Sequence, residues 1–173
     1  MDKILVTGGS GMVGKSLKKL LPNAVYTSSE DCDLTDENSV KSLMTTNKFD
    51  TVIHLAAKVG GIIDNINNPD TYFLDNVQMN TNIVKWSRIT GVERFIGILS
   101  TCIYPDKVDT YPMTEDMLHQ GPPTPTNFSY GYAKRCLAVH IDACNQQYGT
   151  KYNYLIPCNL YGENDKFGEN SHF

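Results

Sequence analysis

The sequence has no apolar run approaching the roughly 20 residues that cross a bilayer, no cluster of Lys or Arg, and no Cys-x-x-Cys or Cys/His ligand spacing. Each absence removes a class of function. With 15 Lys+Arg against 19 Asp+Glu, a formal net charge of −4 and no basic run, a nucleic-acid or anionic-membrane surface is not expected. Met1-Asp2-Lys3 followed by only three apolar residues does not have the form of a signal peptide, so the expected location is cytoplasmic. The cysteines (Cys32, Cys102, Cys136, Cys144 and Cys158) are an odd set of five, which favours reduced thiols over disulfides and predicts no metal site. Repeats and low-complexity segments are also missing. What is present, 40% apolar, 20% charged and 10% aromatic residues over 173 positions, fits one ordinary globular domain spanning residues 1–173.

The chain alternates between two periodicities. Lys3–Thr7, Ala24–Thr27, Thr51–Leu55, Phe95–Leu99 and Tyr152–Ile156 are short β-branched or apolar runs that predict strands. Between them, Val13, Leu17, Leu20 and Leu21 recur at helical spacing, Thr35-Asp36-Glu37 caps a second helix, and long helical segments run from about Pro69 to Thr90 and from Asn127 to Tyr148. Alternating units of this kind predict an α/β fold, a doubly wound parallel sheet of the Rossmann type in strand order 3-2-1-4-5. The proline-rich stretch from 104 to 126 reads as a long irregular connection, which in a compact domain is usually functional.

Gly8-x-x-Gly11-x-x-Gly14 lies between the first strand and the first helix, the context in which such a turn holds the pyrophosphate of a dinucleotide. Gly8, Ser10, Gly11, Met12, Val13 and Gly14 are the candidate contacts, because glycine lets backbone approach the phosphates and the helix start offers free N–H groups. The alternative is a glycine turn needed only for helix packing. At the end of the second strand, where an acid would bond the ribose 2′-hydroxyl, stand Ser28 and Ser29; two hydroxyls lean towards NADP, with NAD less favoured. Asp33 and Leu34 either lie near the adenine or form a plain turn before the next helix.

Tyr130-x-x-x-Lys134 places a phenol and an ammonium on one helix face, an arrangement that lowers the phenol's pKa and suits carbonyl reduction. Ser100, at the end of the fourth strand, falls on the sheet edge where doubly wound folds bind ligands. The alternative for the pair is a half-buried aromatic and a solvated charge. Cys102 follows Ser100 by two residues, and in an extended segment both would point the same way; a small buried hydrophobe is the competing reading. On the long helix, Asn76 and Asn80 interrupt an apolar stripe, as contacts to a ligand or as packing hydrogen bonds. Lys58 is read as approaching cofactor or substrate, His54 as a satisfied core histidine, and Cys32, Cys136 and Cys144 as structural.

Four segments narrow the match: Thr7–Gly14, His54-Leu55-Ala56-Ala57-Lys58-Val59-Gly60-Gly61, Leu99-Ser100-Thr101-Cys102-Ile103-Tyr104-Pro105, and Pro157-Cys158-Asn159-Leu160-Tyr161-Gly162. Together they closely resemble the GDP-L-fucose synthase family of extended short-chain dehydrogenase/reductases. The resemblance implies an NADP-dependent 3,5-epimerase and 4-reductase acting on GDP-4-keto-6-deoxy-D-mannose. By position it implies Cys102 as base and His172 as acid of the epimerisation, with Ser100, Tyr130 and Lys134 as the hydride-transfer triad. It adds Leu55, Ala56, Ala57, Lys58, Pro157, Asn159 and Leu160 to the cofactor contacts, and a homodimer paired through the helices at 70–90 and 127–148. Glu163-Asn164-Asp165-Lys166-Phe167 departs from the family's Pro-His-Asp-Asn-Phe. Members of the family are nearly twice as long, so the chain is expected to be its N-terminal cofactor-binding part, ending before the sixth strand and the substrate domain. The other readings are a non-catalytic dinucleotide-binding module and another sugar-nucleotide epimerase or reductase of the same superfamily.

Overall fold

Strand β1 (Ile4–Thr7) is fully buried at Leu5, Val6 and Thr7, which only a strand covered on both faces can be. The computed structural model describes residues 2–165. After β1 the chain continues through α1 (Met12–Leu20), β2 (Val25–Thr27), α2 (Glu37–Thr46), β3 (Thr51–His54), α3 (Ile62–Asn67), α4 (Pro69–Ile89), β4 (Arg94–Ile98), α5 (Phe128–Tyr148) and β5 (Lys151–Leu155). All four strand pairings are parallel. Every strand therefore delivers its C-terminal end to the same edge of the sheet.

The sheet order is β2-β1-β3-β4-β5, which corrects the expected 3-2-1-4-5. The third strand does not lie outside the second but pairs with β1, Ile4 opposite Thr51 through Thr7 opposite His54. Burial explains the placement, because Thr51, Val52 and His54 are all covered and an edge position would leave one side of that strand to solvent. The chain therefore reverses direction across the sheet after β2, and the switch point lies between β1 and β3.

Local chemistry sets most boundaries. Asp36 caps α2, its carboxylate accepting from the N–H groups of Asn38 (3.2 Å) and Ser39 (3.0 Å). Pro69 starts α4 in the first-turn position that proline tolerates. The helix α3 was not anticipated, being a six-residue segment with no capping side chain. The core joins Leu5, Val52 and Phe95 of the sheet to Ile83 and Val84 of α4 and Leu137 and Ile141 of α5. Burying each such side chain contributes roughly 1.5–3 kcal/mol. Among the described residues no helix is long and apolar enough to cross a membrane.

Candidate active site

At one end of the sheet edge the site is made of backbone. Gly8 has φ +71°, a left-handed conformation that disfavours side chains, and a Cβ there would lie 2.8 Å from the Ala56 nitrogen. At Gly14 a Cβ would lie 2.6 Å from the Gly8 oxygen, so α1 can pass close over the turn only without a side chain. Gly11 is the N-cap of α1 with no side-chain cap, and the first turn carries no acidic residue. Uncapped N–H groups and the positive end of the helix dipole are thus left facing the edge, which suits an anion. These observations fit the pyrophosphate of a dinucleotide.

Beyond β2, the Ser28 N–H and hydroxyl both donate to Asp31 Oδ2 (2.8 and 2.7 Å). Those bonds hold the Asp31 carboxyl below the usual carboxylate range. The acid at the Ser28 hydroxyl is therefore Asp31. Asp33 Oδ1 accepts from the N–H and hydroxyl of Thr35 (2.9 and 2.7 Å), the simple turn that was the alternative reading of Asp33-Leu34. Leu34 is buried, and its carbonyl accepts from Asn82 Nδ2 at 3.0 Å.

At the other end the site is made of side chains. Lys134 is 1% exposed, its Nζ donates to the Ile98 carbonyl at 2.7 Å, and burial pulls its pKa down to about 8. The same ammonium lies 5.8 Å from the centre of the Tyr130 ring. Tyr130 departs from expectation: burial, and secondarily the charge of Cys102, push its phenol above the ordinary value rather than below it. Withdrawal from water disfavours the charged phenolate and is the larger cause.

Ser100 and Cys102 are brought together differently from the extended arrangement that the spacing suggested. Thr101–Ile103 is a 3-10 turn, and Ser100 caps it by accepting the Cys102 N–H at 3.3 Å. The turn is pinned to α5: Arg135 Nε donates to the Ile103 carbonyl at 2.6 Å, and a Cβ on Gly131 would come within 2.7 Å of the Cys102 oxygen. From the other side, Thr101 N–H donates to the Pro157 carbonyl at 3.3 Å, so Pro157 borders this end. Asn159 and Leu160 follow in an exposed loop. Asn127 Nδ2 donates to Cys102 Sγ at 3.0 Å. Asn127, Gly131 and Arg135 were all missed in the sequence; the helix-start position of Asn127 was the one legible signal.

A buried polar frame joins the two ends. The Ala56 N–H donates to Thr7 Oγ1 at 3.4 Å, Thr7 Oγ1 contacts His54 Nδ1 at 2.7 Å, and His54 Nε2 contacts Asn80 Oδ1 at 2.9 Å. Asn80 Nδ2 then donates to the carbonyl of Ala133, the residue before Lys134, at 3.4 Å. Burial pushes the His54 imidazole down to about 3, so it is neutral and structural, as its place in an apolar run suggested. Asn76 likewise packs, its amide bonding both the N–H and the carbonyl of Lys58 at 3.0 Å. Lys58 Nζ pairs with Asp75 at 2.9 Å. The structure thus gathers Gly8–Gly14, Ser28, Leu55–Lys58, Ser100, Cys102, Tyr130, Lys134 and Pro157 along one edge; His172 lies outside the described residues.

The NAD dependent epimerase/dehydratase family matches residues 4–173. A probable GDP-L-fucose synthase of Drosophila melanogaster is 40% identical over 96% of the chain and 54% of its own length. The GDP-L-fucose synthase of Dictyostelium discoideum is 42% identical over 95% of the chain and 53% of its length. A solved GDP-L-fucose synthetase from Naegleria fowleri, bound to NADP, superposes with a TM-score of 0.88 at 39% identity, covering 99% of this chain and 58% of that one. The chain spans about half the length of these relatives.

Proposed function

The chain belongs to the NAD dependent epimerase/dehydratase family, and on that premise we propose that it provides the cofactor-binding and reaction-centre half of an enzyme that makes GDP-L-fucose. The substrate is GDP-4-keto-6-deoxy-D-mannose, epimerised at C3 and C5 and then reduced at C4. The observation that carries the reading is the placement of a thiol, Cys102, on the same capped turn as Ser100, with the helix that bears Tyr130 and Lys134 packed against that turn through Arg135 and Gly131. Such an edge offers proton abstraction and ketone reduction together, and two relatives named for this synthesis support it.

Protons beside the ketone are acidic enough for a thiolate at Cys102 to remove, leaving an enolate whose oxygen Ser100 can hold. His172 is the proposed acid that returns a proton on the opposite face. NADPH, when bound, supplies the hydride that reaches C4. The Tyr130 phenol, kept protonated by its raised pKa, gives its proton to the oxygen as negative charge develops there, and Lys134 is positioned by the Ile98 carbonyl beside it.

The Gly8–Gly14 turn would hold the pyrophosphate, Ser28 and Ser29 the ribose, Asp33 and Leu34 the adenine side, and Leu55–Lys58, Pro157, Asn159 and Leu160 the nicotinamide half. NADP is favoured over NAD by these two serines and by the relative bound to NADP. In the same reading the GDP-sugar is gripped by the part of the family fold that these residues do not span. Large apolar side chains exposed on both helices, among them Phe73 and Leu74 of α4 and Phe128 and Val139 of α5, support a homodimer paired through α4 and α5, and the same reading puts the enzyme in the cytoplasm. The test is to mix the protein with GDP-4-keto-6-deoxy-D-mannose and NADPH in deuterated water. Loss of NADPH absorbance with deuterium at C3 and C5 is expected; NADPH binding with neither signal would leave a non-catalytic binding module.

A further inference from the structure

Asn127 stands at the start of α5 and does not do what its position calls for. A helix N-cap asparagine ordinarily accepts from N–H groups of the first turn, yet Asn127 makes no such bond. Its Nδ2 donates to Cys102 Sγ at 3.0 Å instead, while its Oδ1 is buried without a partner. Asn127 is one of the residues lining a pocket of about 190 Å³ between α3 and the α5 start. Forgoing the cap and burying an unpaired acceptor both cost stability, and the contact this orientation secures is the one to sulfur.

The backbone around the sulfur is held independently. Ser100 Oγ fixes the Cys102 N–H, Arg135 fixes the Ile103 carbonyl, and Gly131 lets α5 lie against the Cys102 carbonyl. Asn127 adds little to the turn's shape; what it sets is the direction of Sγ and the donor that faces it. An N–H donor favours a thiolate over a thiol, because the bond strengthens when the acceptor carries charge.

We propose that Asn127 is a positioning residue for Cys102, aiming the sulfur and stabilising its thiolate so that it can take a proton from carbon beside a ketone. The inference rests on Cys102 being the base in the reading above. In the step it serves, sulfur gains the proton, the C–H electron pair passes into the enolate, and the thiol is later deprotonated by solvent.

The test labels the protein with iodoacetamide across a range of pH and follows each cysteine by mass spectrometry, in wild type, Asn127→Asp and Asn127→Ser. The aspartate keeps the shape and the capping ability but replaces the donor with an acceptor. Serine caps as well and is too short to reach the sulfur. Near neutral pH, Cys102 labelling is expected to slow at least about tenfold in Asn127→Asp, with its profile moved to higher pH, and to slow less in Asn127→Ser. Cys32 and Cys144 are buried and Cys136 and Cys158 exposed, so unchanged labelling of those four shows an intact fold. A Cys102 profile that stays at wild type in both variants overturns the proposal. Failure of the underlying reading shows separately, as deuterium exchange at C3 and C5 that survives Cys102→Ser.

Discussion

The two ends of the sheet edge are built on opposite principles. The glycine end, from Gly8 to Gly14, is shaped by missing side chains, and the atoms nearest the absent Cβ atoms of Gly8 and Gly14 are backbone. The reaction end is built by burying side chains that carry charge, Lys134 and Arg135 among them, beside the half-buried Asn127. A site of the first kind is rigid and tolerates no added atom. One of the second kind holds destabilising groups in place for chemistry, and relieving them should raise stability while removing function.

That contrast can be broken in several places. The largest effect is expected at the glycine turn: Gly14→Ala forces a methyl against the Gly8 carbonyl at 2.6 Å and should cost ~1–3 kcal/mol in urea unfolding, with NADPH binding lost alongside. Wild-type stability and binding in this variant would show the turn to be looser than its geometry indicates. Next comes the frame between the two ends. His54→Leu removes the ring partner of the Thr7 hydroxyl, which keeps only the Ala56 N–H, and leaves Asn80 Oδ1 buried and unpaired, for an expected loss of about 1–2 kcal/mol.

His54 also sets a pH dependence. With its imidazole at about 3 in the fold and near 6.5 when unfolded, the unfolded chain binds a proton across that window that the folded chain does not. The stability tied to neutral His54 is therefore full above the unfolded value and is lost as pH falls towards the folded one, by up to about 1.4 kcal/mol per pH unit. Unfolding of wild type and His54→Leu at several acidic pH values should show the steeper decline in wild type; parallel slopes would contradict the assignment of a neutral, buried His54.

At the reaction end, substitution should act with the opposite sign, although the pH slope runs the same way. Lys134 falls from 10.5 to about 8 in the fold, so its charge is a burden below the lower value, and stability recovers as pH rises through the window. Lys134→Met is expected to stabilise the protein near neutral pH by on the order of 1–2 kcal/mol, and to abolish reduction. The gain should shrink as pH rises from about 8 to 10.5 and be small above that, where the unfolded lysine is neutral too. A less stable Lys134→Met would mean that the bond to the Ile98 carbonyl outweighs the desolvation. The smallest effect is expected at the ribose: Asp31→Asn removes the carboxylate beside Ser28 and should improve NADPH binding over NADH by about two- to fivefold, read by fluorescence titration.

The same contrast explains what the sequence disclosed. The glycine turn was legible because its requirement is local: spacing, a preceding strand and a following helix suffice. Strands β1 to β5 were legible from short apolar runs, but their order was not, because the burial of Thr51–His54 on both faces depends on which neighbours the strand meets. At the reaction end, Ser100, Cys102, Tyr130 and Lys134 stood out as residue types, whereas their relations did not. A 3-10 turn replaced the expected extended segment, and desolvation reversed the direction of the Tyr130 shift. Asn127 and Arg135 act on a turn more than 20 residues away in sequence, and no local pattern announces such a contact. Asn76 and Asn80 were visible as interruptions of a stripe, and the structure resolves them as packing bonds.

The central claim is that one sheet edge separates two chemistries, proton exchange at Cys102 and reduction at Tyr130 and Lys134. Cys102→Ser tests it most directly, with GDP-4-keto-6-deoxy-D-mannose and NADPH in deuterated water and the product analysed by mass and NMR. The expected result is continued NADPH oxidation to an unepimerised alcohol carrying no deuterium at C3 or C5. Deuterium at both carbons at the wild-type rate, or loss of NADPH oxidation together with the exchange, would contradict it.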